Sequence, residues 1–349
     1  MYRLLIWMMF ITPMFSQGIG WKVTTQFSTD YNTNILGYSE KYKTMFINGE
    51  ESDRFKISSL DDIVVNVGTT VSKRLPFFRL YKSRFLFGYT YKKFVNNPIK
   101  NSQKVRFKLQ FNLLKIYKLS MGVYFQPYTY VRHYKSKPYQ EEIRMEDLEE
   151  YIPFSFKKWG YLLRCDRKFS RYLRGTFIGR LDKKRFSDLF PNHSSDLHIL
   201  AMKLRCSGVS KLMMTATYEY GLSEPTYNKK QFESMYGIEV ATTRYSTNKI
   251  ELSVLYKFLN THSFSLKGAF TDYEYLSRQP RMIAPMYKNR IDQVRLLSLS
   301  YTYNGFKNVL IKMKLSSKKR ISDETEVQAL EKNYHQTNIS LGFRYVFKL

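Results

Sequence analysis

The sequence predicts a single antiparallel β-barrel that spans a membrane, with about 14 strands, short periplasmic turns and long extracellular loops. Three observations predict it. Apolar and polar residues alternate strictly in about a dozen segments, the connections alternate between short and long, and aromatic residues abound without any membrane-length apolar helix.

The closing segment ISLGFRYVFKL shows the alternation most plainly. Ile339, Leu341, Phe343, Tyr345, Phe347 and Leu349 share one face, while Ser340, Gly342, Arg344, Val346 and Lys348 share the other. Successive side chains of a strand point to opposite sides, so this period gives one apolar face and one mostly polar face. Val105, Phe107, Leu109, Phe111 and Leu113 repeat the pattern against Arg106, Lys108, Gln110 and Asn112. So do Ile250–Phe258, Val309–Ser316 and Ile63–Ser72, with weaker versions at Trp21–Phe27, Phe85–Tyr91, Leu119–Phe125, Leu200–Cys206, Leu212–Tyr220 and Leu297–Tyr303. Direct counting gives about fifteen segments; single-chain barrels close with an even number, so about 14 are expected, with 12 and 16 as alternatives. The turns are hardest to place between Phe232 and His262.

Short links fall near Leu75–Arg79, Lys115–Tyr117, Cys206–Ser210 and Asn304–Lys307. Long polar ones fall near Glu40–Phe55, Lys135–Pro153, Lys183–Ser195, Ser277–Asn289 and Arg320–His335. A membrane barrel has this rhythm; a soluble sandwich has no need of it.

Composition agrees. The 349 residues include 29 Tyr and 26 Phe, which favour strands and collect at membrane interfaces. Mean hydropathy is −0.43, too polar for a bundle of membrane helices. Residues 1–18 read as a cleavable signal peptide: Arg3, an apolar stretch Leu4–Phe15, Pro13, then Ser16-Gln17-Gly18. Residues 19–349 are expected to form the barrel. Cys165 and Cys206 are expected on strands separated by one other, roughly 10 Å apart and beyond disulfide reach.

With these residues in view, the chain resembles the outer-membrane β-barrels of Gram-negative bacteria, porin-like proteins as a class. In that class the last strand ends on an aromatic residue read by the barrel-assembly machinery. Tyr345 and Phe347 fit, with Lys348 and Leu349 following. The segment Phe27–Ile35, FSTDYNTNI, is similar to the Asp-Ser-Asn-apolar element near the first strand of many such barrels. The resemblance implies residence in the Gram-negative outer membrane, with lipid, lipopolysaccharide and the assembly machinery as partners. It brings no functional residues with it, and the oligomeric state stays open.

Charge bears most directly on function. The formal net charge is +28. Strand parity assigns Lys82, Arg84, Lys92, Arg106, Lys108, Lys203, Arg205, Lys257, Lys267, Lys312, Lys314 and Arg344 inward, against the few acids Glu219, Glu239 and Glu251. A lumen lined by one sign of charge favours entry of the other. The expected function is a passive channel for small polar or anionic solutes. The alternatives are a non-conducting barrel whose loops bind glycan, lipopolysaccharide or protein, and a small membrane enzyme. Nucleic-acid binding is disfavoured by the export signal and the aromatic wall.

Glu141, Glu142, Glu146, Asp147, Glu149 and Glu150 crowd one long loop. They are read as a solvated acidic surface, or else as a constriction folded into the basic lumen. Among the 5 histidines, His193-Ser194-Ser195-Asp196-Leu197-His198 has the residue types of a hydrolase or metal site but not the spacing of one. No catalytic residues, metal or cofactor are expected.

Overall fold

The structure, a computed structural model, describes residues 21–75, 82–113, 116–135, 151–187, 193–208, 211–226, 244–276, 288–323 and 332–348. The strands run in chain order as β1 (Trp21–Asn32), β2 (Asp62–Leu75), β3 (Lys82–Phe94), β4 (Ser102–Leu113), β5 (Tyr117–Lys135), β6 (Tyr151–Lys168) and β7 (Leu173–Phe186). They continue as β8 (Ser195–Cys206), β9 (Leu212–Pro225), β10 (Tyr245–Phe258), β11 (His262–Leu276), β12 (Lys288–Tyr303), β13 (Val309–Ser322) and β14 (Tyr334–Lys348). Each pairs antiparallel with the next, and β14 returns to β1, giving a closed barrel. Closure leaves no strand edge, so the backbone satisfies its own hydrogen bonds as a lipid environment demands. At a spacing of about 4.8 Å and a tilt near 40°, such a barrel has a backbone radius of roughly 14 Å.

The alternation read from the sequence becomes two surfaces. Phe27, Phe107, Leu163, Leu252, Met313 and Leu341 are exposed on the outer wall, while Ser72, Ser120, Thr176, Ser298 and Ser316 are buried on the inner one. At the seam Phe27 stands opposite Phe343 and Thr29 opposite Leu341, so the outward sets meet in register. With strands of 12 to 19 residues the barrel has ample length to cross a bilayer. Near the short-turn end the outer aromatics interlock: Phe258 and Phe264 are 5.3 Å apart, Phe264 and Tyr301 5.2 Å, and Tyr345 and Phe347 4.2 Å.

The β6–β7 and β10–β11 connections, 169–172 and 259–261, lie at one end; the connections at 33–61 and 95–101 lie at the other. The uncertain stretch before His262 resolves into β10, with residues 227–243 outside the described set. In β5 the pairing skips Pro127, and the register shifts between Gln126 and Thr129. Proline has no N–H to donate to a ladder, so the bulge falls where the sequence requires one.

Both cysteines are free. They lie on β6 and β8 with β7 between, as the sequence implies. The register adds an offset along the strand, because Cys165 is level with Phe177 and Met202 rather than with Cys206. The expected separation of two strand spacings thus grows to roughly 17 Å.

The hydrophobic core of the molecule sits in the first long loop. Helix α1 (Glu40–Ile47) starts at Ser39, whose side chain accepts from the Tyr42 N–H. Tyr38, Tyr42, Phe55 and Ile57 form a buried cluster with Ile99 packed against it. Two buried polar groups hold the loop's ends. Asn34 exchanges hydrogen bonds with the Tyr38 backbone at 2.7 and 2.8 Å. Asp62 accepts from the N–H groups of Val95, Asn96 and Asn97 at 3.0, 3.0 and 2.9 Å, and from the Asn97 amide at 2.8 Å.

Candidate functional site: the charged inner face

Side chains on the concave face converge, and those on the convex face diverge. Contacts that skip strands therefore mark the interior. Tyr124 on β5 reaches Asp182 on β7, and Lys203 on β8 interacts electrostatically with Lys267 on β11. By the same parity Arg84, Arg106, Lys108, Lys203, Arg205, Lys257, Lys267, Lys312, Lys314 and Arg344 all stand on the inner face. Lys82 and Lys92 share that parity on β3; the Lys82 side chain lies outside the described residues.

The structure brings much of this set together. Lys314, Lys267 and Arg344 act on Lys312; Arg205, Glu251, Arg164 and Lys267 act on Lys203; Arg164, Lys118, Asp166 and Arg106 act on Lys108. Cations thus follow one another from β14 through β13, β11, β8 and β6 to β4, with Glu251 and Asp166 set among them. Arg84, third in β3, and Lys257, last but one in β10, stand nearer the short-turn end. Arg106, Lys257, Lys312 and Arg344 are exposed although they point inward, so solvent reaches the interior at their positions. A Cβ at Gly88 would come within 3.2 Å of the Arg106 guanidinium; the glycine leaves room for that group against the wall.

The inner face holds more acids than the sequence reading allotted to it. Asp182, almost fully buried, pairs with Lys158 at 2.9 Å and Arg180 at 3.3 Å. Asp166 pairs with Arg164 at 2.6 Å and accepts from Thr176 at 2.6 Å. Asp292 pairs with Arg290 at 3.1 Å and with Arg320, while Glu251 takes Lys267 at 2.8 Å and Lys249 at 3.2 Å. The sequence carries a signal for these pairs: Arg164-Cys165-Asp166, Arg180-Leu181-Asp182, Arg290-Ile291-Asp292 and Lys249-Ile250-Glu251. Residues two apart in a strand share a face, so each triplet places a cation beside its own counter-ion. The belt that remains is what these pairs leave over. Arg106, Lys108, Lys203, Arg205, Lys312, Lys314 and Arg344 have no ion pair among the described residues.

The mouth at the long-loop end is furnished by the first loop. Arg132 of β5 lies 5.5 Å from the Tyr38 ring, Tyr151 of β6 donates to Glu51 at 2.9 Å, and Lys100 donates to the Ile35 carbonyl at 2.8 Å. Burial, with Arg132 nearby, pushes the Lys100 ammonium down to about 8. The acidic run Glu141, Glu142, Glu146, Asp147, Glu149 and Glu150 lies outside the described residues, as does Glu239.

The hydrolase-like residue types do not assemble. His193 sits among Phe154 and Phe186, with ring centroids 4.8 and 5.8 Å away. Ser194 accepts from the Phe186 N–H at 3.0 Å. Asp196 is held by Arg185 at 2.7 Å, and His198 faces outward on the β8 wall beside Leu181. Among the described residues there is no group of His, Cys, Asp or Glu arranged to hold a metal ion.

No family model matches this chain. No curated protein matches it. Among solved structures it is similar to the outer membrane channel DcaP of Acinetobacter baumannii, at 8% identity over 95% of this chain and 98% of that one, with a TM-score of 0.48. It is also similar to the CymD monoaromatic hydrocarbon channel, at 7% identity over 95% and 89% of the two chains, with a TM-score of 0.49. An anion-selective porin from Comamonas acidovorans aligns at 9% identity over 95% and 99%, with a TM-score of 0.41.

Proposed function

We propose that this protein is a passive channel of the Gram-negative outer membrane for small polar solutes, with a preference for anions. One observation carries the reading: a set of inward cations with no ion pair among the described residues, Arg106, Lys108, Lys203, Lys312 and Arg344 among them, several of them open to solvent. Fixed charge of one sign on the wall of a narrow aqueous path raises the local concentration of the opposite sign. The signal peptide, insertion by the assembly machinery through Tyr345 and Phe347, and lipid and lipopolysaccharide as surroundings belong to the same proposal. Planar-bilayer recording from refolded protein tests it. Single-channel steps with a reversal potential on the anion side are expected. Absence of steps would favour a non-conducting surface barrel, and cation preference would refute the role given to the belt.

A further inference from the structure

The lipid-facing wall carries an apolar groove of about 590 Å³. Phe85, Leu109, Met121 and Leu163 stand at successive register positions on β3 to β6, and Gly179 of β7 ends the row without a side chain. Phe107, Val123, Tyr161 and Leu181 form a parallel row one outward position nearer the long-loop end. Between the rows lie Lys108, Gly122, Leu162 and Arg180, whose inward parity leaves their backbone as the floor. Successive outward residues are about 6.8 Å apart along a strand, a gap suited to a single alkyl chain. A Cβ built at Gly179 meets nothing within 4 Å, so the missing side chain opens that end of the groove.

The groove climbs toward the long-loop end. Counted from the short turns, Phe85 is the fourth residue of β3 and Gly179 the seventh of β7. Directly above Tyr161 and Leu181, the next outward pair is Trp159 and Lys183, followed by Lys157 and Arg185. The Arg185 guanidinium lies 5.4 Å from the Trp159 ring. Asp196 pairs with Arg185 at 2.7 Å and Lys183 at 3.7 Å; Lys157 is exposed with no ion pair among the described residues. Glu224, opposite Asp196 in register, is taken by Arg244 at 3.6 Å, so three cations against the one remaining carboxylate leave the cluster positive. Lysine, arginine and tryptophan at this height sit where lipid phosphates lie, and a groove in the hydrocarbon layer below has alkyl chains as its natural occupants.

We propose that this wall binds one phosphate-bearing, acylated lipid of the surrounding leaflet. The chain lies between the two rows, and the phosphate oxygens accept hydrogen bonds from Lys157, Lys183 and Arg185. This site requires only that the barrel sits in a membrane and does not depend on conduction.

Native mass spectrometry of the detergent-solubilised barrel, titrated with dioleoyl phosphatidic acid, tests it. Dioleoylglycerol supplies the same chains without the phosphate. The unmodified protein is expected to prefer phosphatidic acid. Lys157→Gln with Lys183→Gln, which spares the Arg185–Asp196 pair, is expected to weaken phosphatidic acid binding roughly 30-fold and leave dioleoylglycerol unchanged. Gly179→Leu is expected to weaken both lipids by filling the groove. Circular dichroism checks that each variant keeps its sheet. Equal phosphatidic acid binding by the Gly179→Leu protein would overturn the groove, and no preference between the two lipids would overturn the phosphate site. Single-channel conductance of the same variants is expected to stay unchanged, which separates failure of this site from failure of the channel.

Discussion

Tyr124 on β5 donates its hydroxyl to the Asp182 carboxylate on β7, passing over β6 at Gly160. The glycine is what permits the contact. A Cβ there would stand 2.6 Å from the Tyr124 ring and 2.7 Å from an Asp182 oxygen. Lys158 and Arg180 complete the group around a carboxylate that is 1% exposed.

Asp182→Asn keeps an acceptor for Tyr124 but removes the counter-charge of two cations. Breaking a buried pair by deleting one partner costs about 3 kcal/mol or more, and the partial exposure of Lys158 and Arg180 brings the expected loss to about 1–3 kcal/mol. Urea unfolding of the refolded barrel in detergent is expected to show that loss. Gly160→Ala is expected to cost about 1–3 kcal/mol through overpacking, and the double variant less than the sum, since both act on one contact. Strict additivity would mean that the Tyr124–Asp182 contact is not what the glycine protects.

Asp62 is the first residue of β2 and fastens the first loop to the β3–β4 connection through four N–H donors. Asp62→Ala strands the Asn96 and Asn97 N–H groups, at about 1–3 kcal/mol for each group left buried without a partner, while Val95 keeps the Ile63 carbonyl and the Asn97 amide keeps the Ser59 carbonyl. Water will reach some of them once the loop loosens, so the expected outcome is local. Hydrogen exchange should accelerate at Asn96 and Asn97, with protection of the β9–β12 ladder unchanged. Exchange that stays slow at these two amides would show that the Tyr38, Tyr42 and Phe55 cluster holds the loop by itself.

His193 gives the rim of β7 and β8 a pH dependence. Burial beside Phe154 and Phe186 pushes its pKa from 6.5 down to about 4. The closed rim therefore excludes a proton that the opened rim binds. Stability is fully present above about pH 6.5 and is lost as pH falls toward 4, by about 3 kcal/mol at most. Exchange at the Phe186 amide, which donates to Ser194, should quicken across that window. His193→Leu should abolish the dependence; a pH response that survives it would assign the effect to another group.

The fold was legible because a barrel wall repeats one rule. Period-two alternation in segments such as Val105–Leu113 and Ile339–Phe347 fixes both the strand and its outward face, and Pro127 marks its own bulge. The inner face was legible only by sign. Parity assigns Lys312 and Arg344 inward, but it does not tell which cations are neutralised. That depends on carboxylates two residues away, as in Arg180-Leu181-Asp182, and on neighbours two strands away, as Tyr124 is to Asp182. The core of the first loop was hidden for a different reason. Tyr38, Tyr42, Phe55 and Ile57 are scattered through a polar link, and only its folding back onto Ile99 brings them together.

Selectivity should follow the unpaired cations rather than the total charge. Lys312→Gln with Arg344→Gln removes two inward cations that have no carboxylate partner among the described residues and are open to solvent, with Lys314 and Lys267 as their like-charged neighbours. The reversal potential in a salt gradient is expected to move toward the cation side, with the anion-to-cation ratio falling roughly twofold or more at low salt. The shift should shrink at 1 M salt, where the screening length is about 3 Å and the belt no longer reaches the pore axis. Lys249→Gln with Glu251→Gln makes an internal comparison, because it removes a cation together with a carboxylate that pairs with it. It should move the potential less than the belt pair, since the net charge of the inner face is unchanged. A shift as large as that of Lys312→Gln with Arg344→Gln would mean that the uncompensated cations are not what sets the preference.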